Sequence, residues 1–127
     1  MITHLMLGAK DPTASAAFFE AVLGPLGYKR AFEFNGRVGF SEGEGTPPLI
    51  VGAPGDGGEA CFGNGTMIGF RAKDPDNVQE AWNAGLAAGG TDEGAPGPRP
   101  MGPPGTYAAY LRDPSGNKIG LFCTVAS

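Results

Sequence analysis

The sequence predicts an α+β domain. Two βαβββ modules form a curved, mostly antiparallel sheet around a concave cavity, with the helices outside. Three observations carry this. Ala9-Lys10-Asp11-Pro12 returns unchanged as Ala72-Lys73-Asp74-Pro75, 63 residues later in a chain of 127. The flanks follow the same interval: Leu5 falls on Ile68, Leu7 on Phe70, Phe19 on Trp82 and Gly27 on Gly90. Each copy also reads strand, helix, then short strands. A period of half the chain marks two copies of one supersecondary unit closing one core. The interval lays His4, the only histidine, on Met67.

The first strand spans 2–9. Leu5 and Leu7 alternate with His4 and Met6, the pattern of a strand with one face on the core. Asp11-Pro12 opens a helix, because Asp caps free N–H groups and Pro fits the first turn. Ala14, Ala17, Phe18, Ala21 and Val22 supply its apolar face, and Gly24-Pro25 stops it. Strands follow at 28–34, 37–41 and 48–52. Module one is 1–55, a Gly-rich linker spans 56–65, and module two is 66–127, all within one domain, 1–127.

The second copy opens with a strand at 66–72. Its helix starts at Asp74-Pro75, carries Val78, Ala81, Trp82 and Leu86 inward, and closes at Gly89-Gly90. Segment 94–105, GAPGPRPMGPPG, reads as a long loop placed to act as a lid, and the module's second strand is barely visible within 90–105. Tyr107–Arg112 and Lys118–Val125 are strands joined by the turn residues Asp113-Pro114-Ser115-Gly116-Asn117. Each half-sheet gives one face to its helix. The other faces enclose the cavity where function is expected.

Composition narrows the function classes. With 23 Gly and 12 Pro gathered between the patterned segments, the chain has many tight turns. Net charge is −4, and nine basic residues form no stripe, which argues against nucleic acid. No apolar run approaches the roughly 20 residues of a membrane span. Cys61 and Cys123 match no metal or redox spacing and read as free thiols in a cytoplasmic protein. The serines have no histidine beside them, so a hydrolase triad is unsupported.

The helix start AKDP, the segment GAPGPRP and the closing YAAYLRDPSGNKIGLFC together resemble the glyoxalase / bleomycin resistance protein / extradiol dioxygenase superfamily, the vicinal oxygen chelate fold. The resemblance covers nearly the whole chain and points to a glyoxalase-like bacterial subgroup. It implies a homodimer and, in typical members, a divalent metal held from the first and last strands of each module. That metal stabilises an oxyanion or enolate of the substrate. Carried over residue by residue, His4 matches the first ligand, but the next two fall on Met67 and Gly120, and 48–52 contains no donor side chain. A thioether suits such metals poorly, and a working site needs about three ligands.

The expected function is therefore binding of a small molecule in the cavity, with the metal site degenerate or absent and no cofactor. The alternative is a metal-dependent lyase, isomerase or dioxygenase, lactoylglutathione-lyase-like, that uses His4. His4, the only imidazole, is the best general-base candidate in the chain. Arg71 and Arg99 can fork onto a ligand carboxylate or phosphate. Met6, Met67 and Phe122 line the pocket, and Gly120 enlarges it. Tyr107 and Tyr110 point in opposite directions, and Tyr107 is assigned to the cavity.

Overall fold

The structure, a computed structural model, describes residues 1–125. Ala126 and Ser127, the end of the expected domain, lie outside the described residues. Module one comprises β1 (Leu5–Gly8), α1 (Pro12–Leu23), β2 (Lys29–Phe34), β3 (Arg37–Ser41) and β4 (Leu49–Gly52). Module two repeats it with β5 (Met67–Arg71), α2 (Pro75–Ala87), β6 (Thr91–Pro98), β7 (Thr106–Arg112) and β8 (Lys118–Thr124). The repeat interval of 63 brings α1 onto α2 and β2 onto β6.

The expected α+β architecture of two repeated modules is present, but the strands divide into two four-stranded sheets, ordered β1-β4-β3-β2 and β5-β8-β7-β6. Each module pairs its own first and last strands in parallel, Leu5 opposite Leu49 and Ile68 opposite Ile119. The remaining pairs are antiparallel. The interval has lengthened from 63 to 70 by this point. The two-residue turn Asn35-Gly36, with φ of 48° and 74°, is replaced in module two by the longer loop 99–105.

Both helices begin as their sequence dictates. Asp11 accepts from the Ala14 amide at 3.2 Å and Asp74 from the Asn77 amide at 2.8 Å. Such caps contribute about 1 kcal/mol each. The inward face of α1 differs from the spacing argument. Ser15, Ala16, Phe18, Phe19, Val22 and Leu23 are buried, whereas Ala17 is exposed. Two phenylalanines and Leu23 remove far more apolar area from water than alanines do, and they fix the rotation. On α2, Val78 and Ala81 are buried and Trp82 and Leu86 half-buried, as the pattern predicts.

β6 corrects the loop expected at 94–105. Thr91–Pro98 is a strand, and only 99–105 is loop. It lies at the sheet edge and pairs only with β7, with register shifts either side of Gly94. An edge tolerates Pro96 and Pro98, whose missing N–H groups cost no ladder bond on the open side. The propensity signal was therefore misleading there. β1 is also shorter than expected, since residues 2–4 are not strand.

The modules share one core. A methyl on Gly85 of α2 would lie 2.6 Å from Val22 Cγ2 of α1 and 2.7 Å from Leu111 Cδ1 of β7. The fully buried Phe18 and Phe19 meet edge to face at 5.1 Å. A buried polar cluster joins the modules as well. Asp113 Oδ1 accepts from the amides of Ser115 and Asn117 at 3.0 and 2.8 Å, and Oδ2 accepts from the Ser15 hydroxyl at 3.0 Å. Asn117 Nδ2 donates across to Gly8 O at 2.8 Å, and the Lys10 amide donates to Ser115 Oγ at 2.8 Å. The turn between β7 and β8 thus grips β1 and α1 of the other module.

Candidate functional site

Strand alternation sorts the side chains of module two. Ile68, Phe70, Ala109, Leu111, Ile119 and Leu121 pack in the core against the helices. Met67, Gly69 and Arg71 of β5, Tyr110 of β7 and Lys118, Gly120 and Phe122 of β8 stand on the opposite, open face. A hollow of about 1180 Å³ lies there, walled by Met67, Arg71, Arg99, Met101, Tyr110 and Phe122. No module-one residue lines it.

Its floor is aromatic. The Phe122 ring lies flat over two glycines: a methyl on Gly120 would sit 2.4 Å from Phe122 Cε2, and one on Gly69 3.0 Å. Gly69 and Gly120 face each other across β5 and β8, so together they form the bed of the ring. Tyr110 meets Phe122 edge to face at 5.7 Å. The expectation that Gly120 enlarges the pocket is overturned, because Phe122 occupies the space that glycine vacates.

The rim is cationic. Arg99 Nη2 donates to Ala95 O at 2.6 Å and Nη1 to Pro98 O at 3.2 Å. These bonds fold the guanidinium back over the Tyr110 ring, with Cζ 5.4 Å from the centroid. Gly94 and Gly97 make room for it, since a methyl at either would come within 3.3 Å of an Arg99 nitrogen. Lys118 Nζ stands 5.2 Å from the same ring centroid. Arg71 and Lys73 also line the hollow, and among the described residues no carboxylate does. Cys123 borders it too, but burial, and secondarily the Asp74 carboxylate, raise its pKa and keep it a thiol.

The structure brings Met67, Arg71, Arg99, Gly120 and Phe122 together on this face, but not His4, Met6 or Tyr107. His4 and Met6 belong to module one. His4 precedes β1, is exposed, and has Nδ1 2.9 Å from Thr3 Oγ1. Tyr107 points the wrong way: it packs against the core with Ala109 and Leu111. Tyr110 is the tyrosine of the open face, and sequence reasoning misassigned the pair. A signal existed. Within Tyr110-Leu111-Arg112 the apolar Leu111 must face the core, so Tyr110 and Arg112 must face outward.

The metal positions implied by the resemblance do not fit an ion. Position 67 carries a thioether, position 120 has no side chain and is covered by the Phe122 ring, and β4 reads Leu-Ile-Val-Gly. Among the described residues no three His, Cys, Asp or Glu side chains form a metal-binding group.

Comparison with known proteins bears on the fold. Residues 1–121 match the family described as Glyoxalase/Bleomycin resistance protein/Dioxygenase superfamily. A solved glyoxalase/bleomycin resistance protein from Albidiferax ferrireducens T118 is 36% identical, with TM-score 0.85, over 96% of this chain and 97% of that one. Lactoylglutathione lyase from Agrobacterium tumefaciens is 24% identical, with TM-score 0.66, over 96% and 92%. The fosfomycin resistance protein FosX from Mesorhizobium loti is 15% identical, with TM-score 0.72, over 98% and 92%. The last two likenesses concern the fold alone. No curated protein matches the chain.

Proposed function

Because the chain belongs to the Glyoxalase/Bleomycin resistance protein/Dioxygenase superfamily, we propose that it binds a small molecule on the open face of module two, without a resident metal ion. One observation carries the reading: Phe122 lies across Gly120 and Gly69, where an ion and its carboxylate would have to stand. A ring filling that volume converts a chelating centre into an apolar floor. A hollow of this size, with an apolar floor and a few convergent polar groups, has the character of a small-molecule site.

The working unit of the proposal is a homodimer. The open face of module one carries Met6, Phe32 and Phe34, with Phe32 and Phe34 stacked at 5.8 Å and all three well exposed. Apolar area of this kind favours burial against a second copy. Such a copy would cover the hollow and is the route by which His4 and Met6 would reach it. Two free cysteines, Cys61 exposed and Cys123 buried, support a reducing, cytoplasmic setting. No helix among the described residues is long and apolar enough to cross a membrane.

The test joins three measurements on protein purified without chelator. Elemental analysis is expected to find metal well below one ion per chain. A small-molecule library read by thermal shift should contain ligands that raise Tm, and the hemithioacetal of methylglyoxal and glutathione should not be turned over. A stoichiometric, tightly held divalent ion, or turnover abolished by His4→Ala, would overturn the reading in favour of a lyase.

A further inference from the structure

We propose that the ligand of this face is an anion joined to a flat apolar body. Arg99, Arg71 and Lys118 would receive the charge, and the open ring face of Phe122 the body. The inference rests on the small-molecule reading above and adds the ligand's chemical class.

Charge distribution is the first support. The chain is acidic, at −4, yet four of its nine basic residues, Arg71, Lys73, Arg99 and Lys118, gather on one face. Elsewhere Lys10 pairs with Glu59 and Arg30 with Glu20 and Glu33, and beside Lys118 on the open face Arg112 is already neutralised by Glu93. None of the four on the open face forms an ion pair among the described residues. Glu42 stands in the adjoining hollow that Arg71 and Lys73 share, its Oε1 accepting from the Thr46 hydroxyl, and the Asp74 carboxylate acts on Cys123 at the border of the hollow. Four cations with no ion-pair partner among the described residues, gathered on an acidic protein, raise a local positive potential that draws anions in.

Preorganisation is the second. Two N–H groups of Arg99 are spent on the Ala95 and Pro98 carbonyls, which fix the plane of the fork. A guanidinium carries five, so three are left. An arginine already held by its own backbone gives up little side-chain entropy when it grips a carboxylate or phosphate. The holding is built into the sequence. Gly94 and Gly97 leave room for the guanidinium, and the loop 99–105, absent from module one, presents the residue.

Shape is the third. Tyr110 is flanked by the cations of Arg99 and Lys118, at 5.4 and 5.2 Å from its centroid. Phe122 lies down on its glycine bed beside it. A flat ring can lie on this floor while its charged substituent reaches the rim, whereas a bare inorganic anion would leave the floor unused.

The experiment is calorimetric titration of the whole chain with 2-naphthoate and with the neutral 2-naphthylmethanol. Naphthoate is expected to bind at least tenfold more tightly. Arg99→Gln and Lys118→Gln should each weaken naphthoate roughly tenfold, with naphthylmethanol changed less than twofold. Thermal unfolding of each variant checks that the fold is kept. In NMR, the Arg99 Nε signal should shift with naphthoate only. Equal affinity for both probes, or loss of both in Arg99→Gln with the fold intact, overturns the anion assignment and leaves the small-molecule reading standing. Absence of binding by either probe also overturns it. The reading beneath it falls separately, on a library with no ligand at all or on the metal and turnover outcomes given above.

Discussion

Replacing Asp113 with Ala tests whether the polar cluster between the modules holds them together. The magnitude follows from counting which donors lose their only acceptor. Ser15 Oγ keeps Ser115 Oγ at 3.1 Å, and Asn117 Nδ2 keeps Gly8 O at 2.8 Å. The amides of Ser115 and Asn117 keep nothing, because both donate to Asp113 Oδ1. Asp113 and Asn117 are each 2% exposed and Ser115 6%, so water does not replace the lost acceptor. An orphaned buried donor costs about 1–3 kcal/mol, which puts Asp113→Ala near 4 kcal/mol. For a chain of this size that corresponds to a Tm lower by about 15 °C. Asp113→Asn retains one carbonyl oxygen for both amides but sets a second NH₂ against Asn117 Nδ2, and should cost about 1–2 kcal/mol. Equilibrium urea unfolding of the three proteins decides. A loss below about 1 kcal/mol for the alanine variant, or equal losses for both, would refute the assignment of the turn as an inter-module clasp.

Other consequences are open to measurement. Gly85→Ala is destabilising by about 1–2 kcal/mol in urea unfolding. The new methyl meets Val22 Cγ2 at 2.6 Å and Leu111 Cδ1 at 2.7 Å, and this overpacking outweighs the roughly 1 kcal/mol an alanine ordinarily contributes inside a helix. Gly120→Ala costs less stability, under about 1 kcal/mol, because the atom it meets is the free end of the Phe122 ring; the ring must lift off its bed, and naphthoate affinity should fall. Tyr28 has its pKa raised above the usual 10.0, first by burial and then by the Glu42 carboxylate. The folded chain therefore holds that proton more tightly than the unfolded one. The stability this supplies is complete below pH 10 and disappears as pH rises through the folded value. Tyr28→Phe should flatten the alkaline limb of a stability-versus-pH curve and leave neutral pH nearly unchanged.

Several parts of the fold were legible because local chemistry dictates them. Asp-Pro at 11–12 and at 74–75 is a cap followed by a first-turn proline in either copy, and both helices start there. The alternation Leu5, Leu7 and Ile68, Phe70 fixed which face of each first strand meets the core. β6 was hidden because Gly and Pro are poor strand formers by propensity, while an edge position with one partner strand removes the penalty. Tyr110 was missed because the parity that separates it from Tyr107 was not anchored on Leu111, whose burial fixes which side of the strand is core. Gly120 was misread because the empty space at a glycine belongs to whichever neighbour leans into it, and the sequence does not say that Phe122 does.

The chain's own letters determined the duplicated unit, the order of its elements, the caps and the residue types standing at 67, 120 and 48–52. Each of these depends on residues a few positions apart, or on a period that can be counted. Tertiary structure alone decided that the modules meet through α1, α2 and the Asp113 turn, that the two open faces stay separate within one chain, and that Arg99 is folded over Tyr110. Those outcomes depend on contacts between segments tens of residues apart, where the volume of one side chain is set against the space left by another. No period along a sequence encodes that balance.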